Sequence, residues 1–290
     1  MRKYIFRLTF ALSSAFFLSA CEDSIDLDLG VPVDQIVIDA VINQTSDTQF
    51  IKITKSIAYL DNGTYKGYEM DTVGVLDTSN FVFHQFTYKG NGVYYFVPSS
   101  PDVFKFGSTY QLIAKDGADT YFSQSTLNSP TSIDSFTYSY KERGSFGGPK
   151  GNYITLWAKD KIGKGDFYWF KLFRNDSLQA KAGDILIAQD NSTTADGRGD
   201  GDLFIVPIRD NFTSRPFKPG ETARVEILSI TPEMYYYLNL ISTQLNNSGL
   251  FAVPPSNIPS NIVCLNDQKK KVLGFFCMTG KVSTQKLLIN

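Results

Sequence analysis

The sequence is short of the residues that most enzyme sites are built from. One histidine, His84, stands among 290 residues, together with three cysteines, four methionines and two tryptophans. Serine and cysteine triads and most zinc sites need imidazole, so those chemistries have only His84 to draw on. His84 sits in "FVFHQF", where strand alternation puts Val82, His84 and Phe86 on one face, and it reads as a structural histidine. A phosphate-cradling loop is missing as well: "SFGGPKGN" has glycines and a lysine but lacks the Gly-Lys-Ser/Thr ending. Among 29 acids, no acid/base carboxylate pair can be picked out. No apolar run long enough to span a bilayer follows the first twenty residues. Long helical periodicity is nearly missing too.

What is present at the start is an address. Arg2, Lys3 and Arg7 precede an apolar stretch from Leu8 to Leu18, and Leu18-Ser19-Ala20-Cys21 fits a lipobox. Residues 1–20 are thus expected to be a lipoprotein signal peptide. Cys21 is the expected lipidation site, carrying palmitate-class chains; two or more chains anchor a protein stably where one does not. Losing three of the 28 basic groups with the leader leaves 25 against 29 acids, a net charge of −4. That balance argues against nucleic acid as a partner. Glu22, Asp23, Asp26 and Asp28 then crowd residues 21–34. They read as a solvated acidic tether, or as a sorting signal resembling the one that sends lipoproteins of Bacteroidota to the cell surface.

The rest of the chain reads as mainly β. Short alternating runs separated by Gly, Pro, Asn and Asp give two consecutive β-sandwich domains. The first is immunoglobulin-like over 35–128, and the second covers 129–290. "QIVIDAVI" is the expected first strand. Asn91-Gly92 and Asp116-Gly117 mark hairpins, since these residues tolerate positive φ. "NYITLWAKD" and "FYWFKLFRND" face each other across "KIGKGD", and the second has apolar residues on both faces, as in a strand covered on both sides. "TPEMYYYLNLISTQLNN" breaks the pattern: Thr231 can cap, Pro232 suits the first helical position, and Met234, Leu238, Ile241 and Leu245 recur at helical spacing. A single amphipathic helix over about 231–246, docked on a sheet, is expected.

Several ordered segments carry a family resemblance: "CEDSIDLDL", "IVIDAVI", "RNDSL", "FKPGETARVEILSI", "TPEMYYYLNL", "PPSNIPSNI" and "LGFFCMTGKVST". The series resembles the domain-of-unknown-function 4249 (DUF4249) family of Bacteroidota outer-membrane lipoproteins, over essentially the whole mature chain. The resemblance implies no established activity. It implies association with TonB-dependent receptors, and hence a surface accessory lipoprotein. Cys277 replaces a residue in the family's closing segment.

Other candidate sites follow from the residues. Cys264 and Cys277 are thirteen positions apart in an exported chain, which makes them candidates for a disulfide; two free buried thiols are the alternative. Asp196, Asp200 and Asp202, around glycines, resemble part of a calcium loop. Arg198 and Pro207 fall where an EF-hand needs acids, which leaves a looser oxygen-ligand site or a solvated loop, and no metal is assigned. Tyr235, Tyr236 and Tyr237 are the candidate partner-facing patch, because a helix cannot bury three consecutive residues on one face. The expectation is a surface-exposed, lipid-anchored outer-membrane protein that is not an enzyme and has no cofactor. Its partner would be a TonB-dependent receptor in nutrient uptake. A stand-alone structural or adhesive lipoprotein is the alternative, followed by a carboxylate-dependent hydrolase.

Overall fold

In the computed structural model the described residues are 35–57, 64–144, 147–190, 199–205, 208–210, 212–213, 215–247 and 258–290. The strands in chain order are β1 (Ile36–Asn43), β2 (Gln49–Lys55), β3 (Thr72–Asp77), β4 (Phe83–Gln85), β5 (Thr87–Gly90), β6 (Val93–Phe96), β7 (Thr109–Asp116), β8 (Asp119–Thr126), β9 (Ile133–Lys141), β10 (Gly151–Ala158), β11 (Phe167–Arg174), β12 (Ser177–Leu178), β13 (Leu186–Gln189), β14 (Thr222–Ile230), β15 (Val263–Cys264), β16 (Val272–Ser283) and β17 (Leu287–Leu288). Between β14 and β15 lies the helix α1 (Pro232–Leu245).

One ten-stranded sheet is the spine of the described fold. Its main path runs β12-β11-β14-β16-β1-β2-β6-β5, with β13 on β11 and β17 on β14. Two smaller sheets cover it, one in the order β15-β8-β7-β3-β4 and the other the pair β10-β9. The first small sheet closes a core in which Val75, Tyr110, Leu112 and Tyr121 meet Ile38, Ile51, Ile53 and Phe276. The β9–β10 pair closes a second core, where Ile154 and Leu156 meet Tyr168, Phe170, Val225 and Ile227. The mainly β, sandwich-like architecture is therefore present, as two face-to-face packings that share one sheet. Asp34–Asn290 forms a single compact unit, so the spine carries strands from both sides of residues 128–129.

The shared strand is β16. It pairs parallel with β1 through eight registered residues, from Ile36 opposite Val272 to Asn43 opposite Thr279. Further on it pairs antiparallel with β14, from Ser229 opposite Gly280 to Glu226 opposite Ser283. Phe276 and Met278 face the first core, and Val282, on the same side, packs on the second. Gly274 makes the approach to β1 workable. Its φ is +89°, and a Cβ there would lie 2.1 Å from the carbonyl oxygen of Ile38.

Sequence features explain several local structures. Gly90, Asn91 and Gly92 all have positive φ at the β5–β6 turn. "NYITLWAKD" and "FYWFKLFRND" do face each other, but across the second core: β10 pairs with β9, and β11 pairs with β14. β11 is covered on both sides, with Tyr168, Phe170 and Leu172 in the second core and Phe167 and Trp169 packed in a third cluster beneath α1. Thr231 caps α1, its hydroxyl accepting from the Met234 N–H at 3.3 Å, with Pro232 in the first turn. Among the described residues no helix is long and apolar enough to cross a membrane.

Candidate functional site

The helix docks on the open face of the spine sheet. Met234 and Leu238 insert among Leu228, Ile230, Phe275 and Cys277. Tyr235 and Tyr237 flank this apolar stripe. Tyr235 packs on Phe167 with ring centroids 5.1 Å apart, and Tyr237 packs on Phe275 at 4.7 Å. Burial, with the charge of Asp39 nearby, pushes the Tyr237 hydroxyl up to about 12. Tyr236 alone of the three turns outward, 58 % exposed, its ring edge-on to Tyr235 at 5.6 Å. Leu240, one turn later on the same side, is 42 % exposed. The run thus divides its work: two rings clamp the helix, and the third joins an outward apolar strip.

Beside this face lies Lys171 on β11, its ammonium 3.9 Å from the Trp169 ring centroid. Burial lowers the lysine to about 8, against the opposing pull of Glu226, its registered partner on β14. Arg224, Lys281 and Glu226 continue a charged band, with Lys281 also reaching Asp47 at 2.7 Å.

The cysteines require a correction. Cys264 and Cys277 are both free and buried. Cys264 lies on β15 opposite Tyr121 and belongs to the first core. Cys277 is on β16, where its neighbours Phe276 and Met278 point into that core and Cys277 points to the other side, under α1. The sheet itself separates the two sulfurs, so the expected bridge is not formed. Burial raises the Cys277 thiol to about 11, which makes it a poor nucleophile at neutral pH.

Of the calcium candidates, Asp196 lies outside the described residues. Asp200 joins two acids that sequence reading did not single out, Asp160 and Asp190, with ligand atoms within 4.8 Å of one another. Each of these carboxylates already accepts from the chain. Tyr168 Oη donates to Asp160 (2.7 Å), Gly165 N to Asp190 (2.6 Å) and Gly163 N to Asp200 (2.9 Å). Asp202 contributes through its backbone, its carbonyl accepting from the Asp160 N–H at 2.9 Å. The Gly163–Asp200 and Asp160–Asp202 bonds tie the 160–166 segment to the 199–202 turn, and the Gly165–Asp190 bond ties it to the end of β13. Burial pushes the Tyr168 hydroxyl far above its usual range, so it remains a donor to Asp160.

His84 is structural in its surroundings. Its ring lies 5.3 Å from Phe96 and 5.2 Å from Phe104. Burial lowers its pKa despite the charge of Asp77, and its Nε2 is buried without a hydrogen-bond partner among the described residues. Cys21 and the acids Glu22, Asp23, Asp26 and Asp28 lie outside the described residues.

Two comparisons with known proteins bear on this arrangement. The family model described as "Domain of unknown function (DUF4249)" matches residues 22–285. A search of curated proteins finds no match.

Proposed function

The chain belongs to the DUF4249 family, and from that premise we propose that it is a surface-exposed outer-membrane lipoprotein, a non-catalytic accessory to a TonB-dependent receptor in nutrient uptake. The observation that carries this reading is the order Leu18-Ser19-Ala20-Cys21 followed at once by acids. The family match begins at residue 22, directly after the cysteine, which fits a mature chain whose first residue is Cys21. Acylation of Cys21 would hold the protein at the membrane, and Glu22, Asp23, Asp26 and Asp28 would direct it outward.

The outward strip of α1 supports docking. Tyr236 and Leu240 offer apolar area with a polar tip on a helix that two further tyrosines pack against the sheet. Such aromatic anchors on rigid elements are favoured at interfaces. The test is to tag the C-terminus, extract outer membranes in mild detergent and identify what co-purifies. A TonB-dependent receptor at near-equal abundance is the expected result. If nothing co-purifies while protease on whole cells still removes the protein, the receptor role fails and a stand-alone surface protein takes its place.

A further inference from the structure

The far end of β11 carries an arrangement that the docking role does not use. Along the strand, Tyr168, Phe170 and Leu172 point into the second core, and the next residue on that face is Arg174. It is only 5 % exposed. Its guanidinium is fixed from three sides. Nη1 donates to Glu221 Oε2 at 2.6 Å and to the Pro216 carbonyl at 3.2 Å, Nη2 donates to the Arg215 carbonyl at 2.8 Å, and the group lies 3.7 Å over the Phe217 ring. Its Nε is buried and, among the described residues, has no hydrogen-bond partner. A buried cationic donor left unpaired keeps the full cost of its lost hydration, and it holds a positive charge beneath the wall of the adjoining cavity.

Arg174 lines an open cavity of about 660 Å³. Lys150, Arg215 and Lys218 line it too, and among the described residues their side chains form no ion pair. Among the described residues Glu221 is the one acidic side chain in the wall, and its Oε2 already accepts from Arg174 and from the Lys218 N–H. Among the described side chains of the wall, four cations face one anion, which leaves an excess of three positive charges. Burial holds Arg174 below its usual range, and the Arg215 charge adds to that. Burial works upward on Glu221, but the Lys218 N–H and the two arginines hold it low.

We infer that this cavity binds a small organic anion through a phosphate, sulfate or carboxylate group, gripped by Lys150, Arg215 and Lys218 above the buried Arg174. Guanidinium and ammonium donors around an apolar floor are the chemistry that recognises such oxyanions. The volume exceeds that of a bare oxyanion, and Tyr140, 56 % exposed, offers a ring for the organic remainder. The site stands whether or not a receptor partner exists, because it rests on none of the α1 surface.

The test is isothermal titration calorimetry on the full mature chain with Cys21→Ser to remove the lipid, at about 150 mM NaCl so that diffuse attraction is screened. The probes are inorganic phosphate, inorganic sulfate, glucose 6-phosphate and glucuronate, with glucose as the neutral control; the anions that bind show which oxyanion the site selects. At least one anion binds with Kd below about 1 mM, and the exposed double variant Arg215→Ala/Lys218→Ala weakens it about tenfold or more while leaving the melting temperature unchanged. If all four anions bind more weakly than about 1 mM, the inference is overturned. Glucose binding as tightly as glucose 6-phosphate, or a double variant that binds like the parent, overturns it equally.

Discussion

Replacing Phe276 by alanine tests how the two cores are joined. Phe276 is fully buried in the first core, on the strand that also borders the second through Val282. Truncating a buried phenylalanine costs about 3–5 kcal/mol in lost transfer energy and cavity. For a unit of roughly 250 residues, each kcal/mol lowers the melting temperature by about 2–4 °C, which gives a fall of ~6–20 °C. Because β16 is hydrogen-bonded to β1 on one side and β14 on the other, the account expects one calorimetric transition, shifted as a whole. Hydrogen exchange followed by mass spectrometry reads the same point locally. Amides of β10 and β11, in the second core, should lose protection by the same free energy as those of β7 and β8. If β10 and β11 keep their parental protection, or if a second transition stays at the parental temperature, the two packings are separable and the shared-strand reasoning is wrong.

Other expectations follow from the site geometry. Lys171, lowered to about 8 in the fold against about 10.4 unfolded, binds fewer protons folded than unfolded between those values. Its contribution therefore raises stability as pH climbs from about 8, and Lys171→Met should flatten that rise in urea titrations between about pH 8 and 9.5. Above about pH 10 the sign reverses for Tyr68, Tyr121 and Tyr237, each held near about 12 in the fold. The cysteines should take up iodoacetamide only after unfolding. With Cys21→Ser, denatured unreduced protein should gain two adducts by mass, and a product with none would mean a bridge. Tyr168→Phe removes the donor to Asp160 and the acceptor of the Lys161 N–H, leaving buried polar groups unpaired. It should cost about 1–3 kcal/mol in urea unfolding, whereas a loss near zero would show that the turn needs no such lock.

The elements written in local code were legible in the sequence. The β1 alternation, the Asn91-Gly92 turn and the Thr231-Pro232 start of α1 each depend on neighbours in the chain, and the structure has all three. Pairings over long separations were not legible. Periodicity says which face a residue of β16 occupies but not that β1 is its partner, and so the spine common to both halves could not be read. The cysteine pair failed for the same reason. Spacing put Cys264 and Cys277 in one loop, while their strands join different sheets. The Asp160–Asp190–Asp200 cluster draws on three separated turns, and no local motif announces it. Arg174 did leave a signal: it follows Tyr168, Phe170 and Leu172 at period two, a charge placed where alternation demands an apolar residue. Its companions Lys150, Arg215 and Lys218 come from two other segments and became visible only when the fold gathered them.

The most direct test of the central claim places a photo-crosslinking amino acid at position 236 in the full-length protein and irradiates intact cells. The account predicts one dominant adduct, to a TonB-dependent outer-membrane receptor, which disappears when Leu240→Asp is added on the same strip of α1. A control crosslinker at exposed position 89 on β5 should give no such adduct. Expressed, cell-surface protein that forms no receptor adduct at position 236, or forms as much at position 89, would contradict docking through this helix and the accessory role built on it.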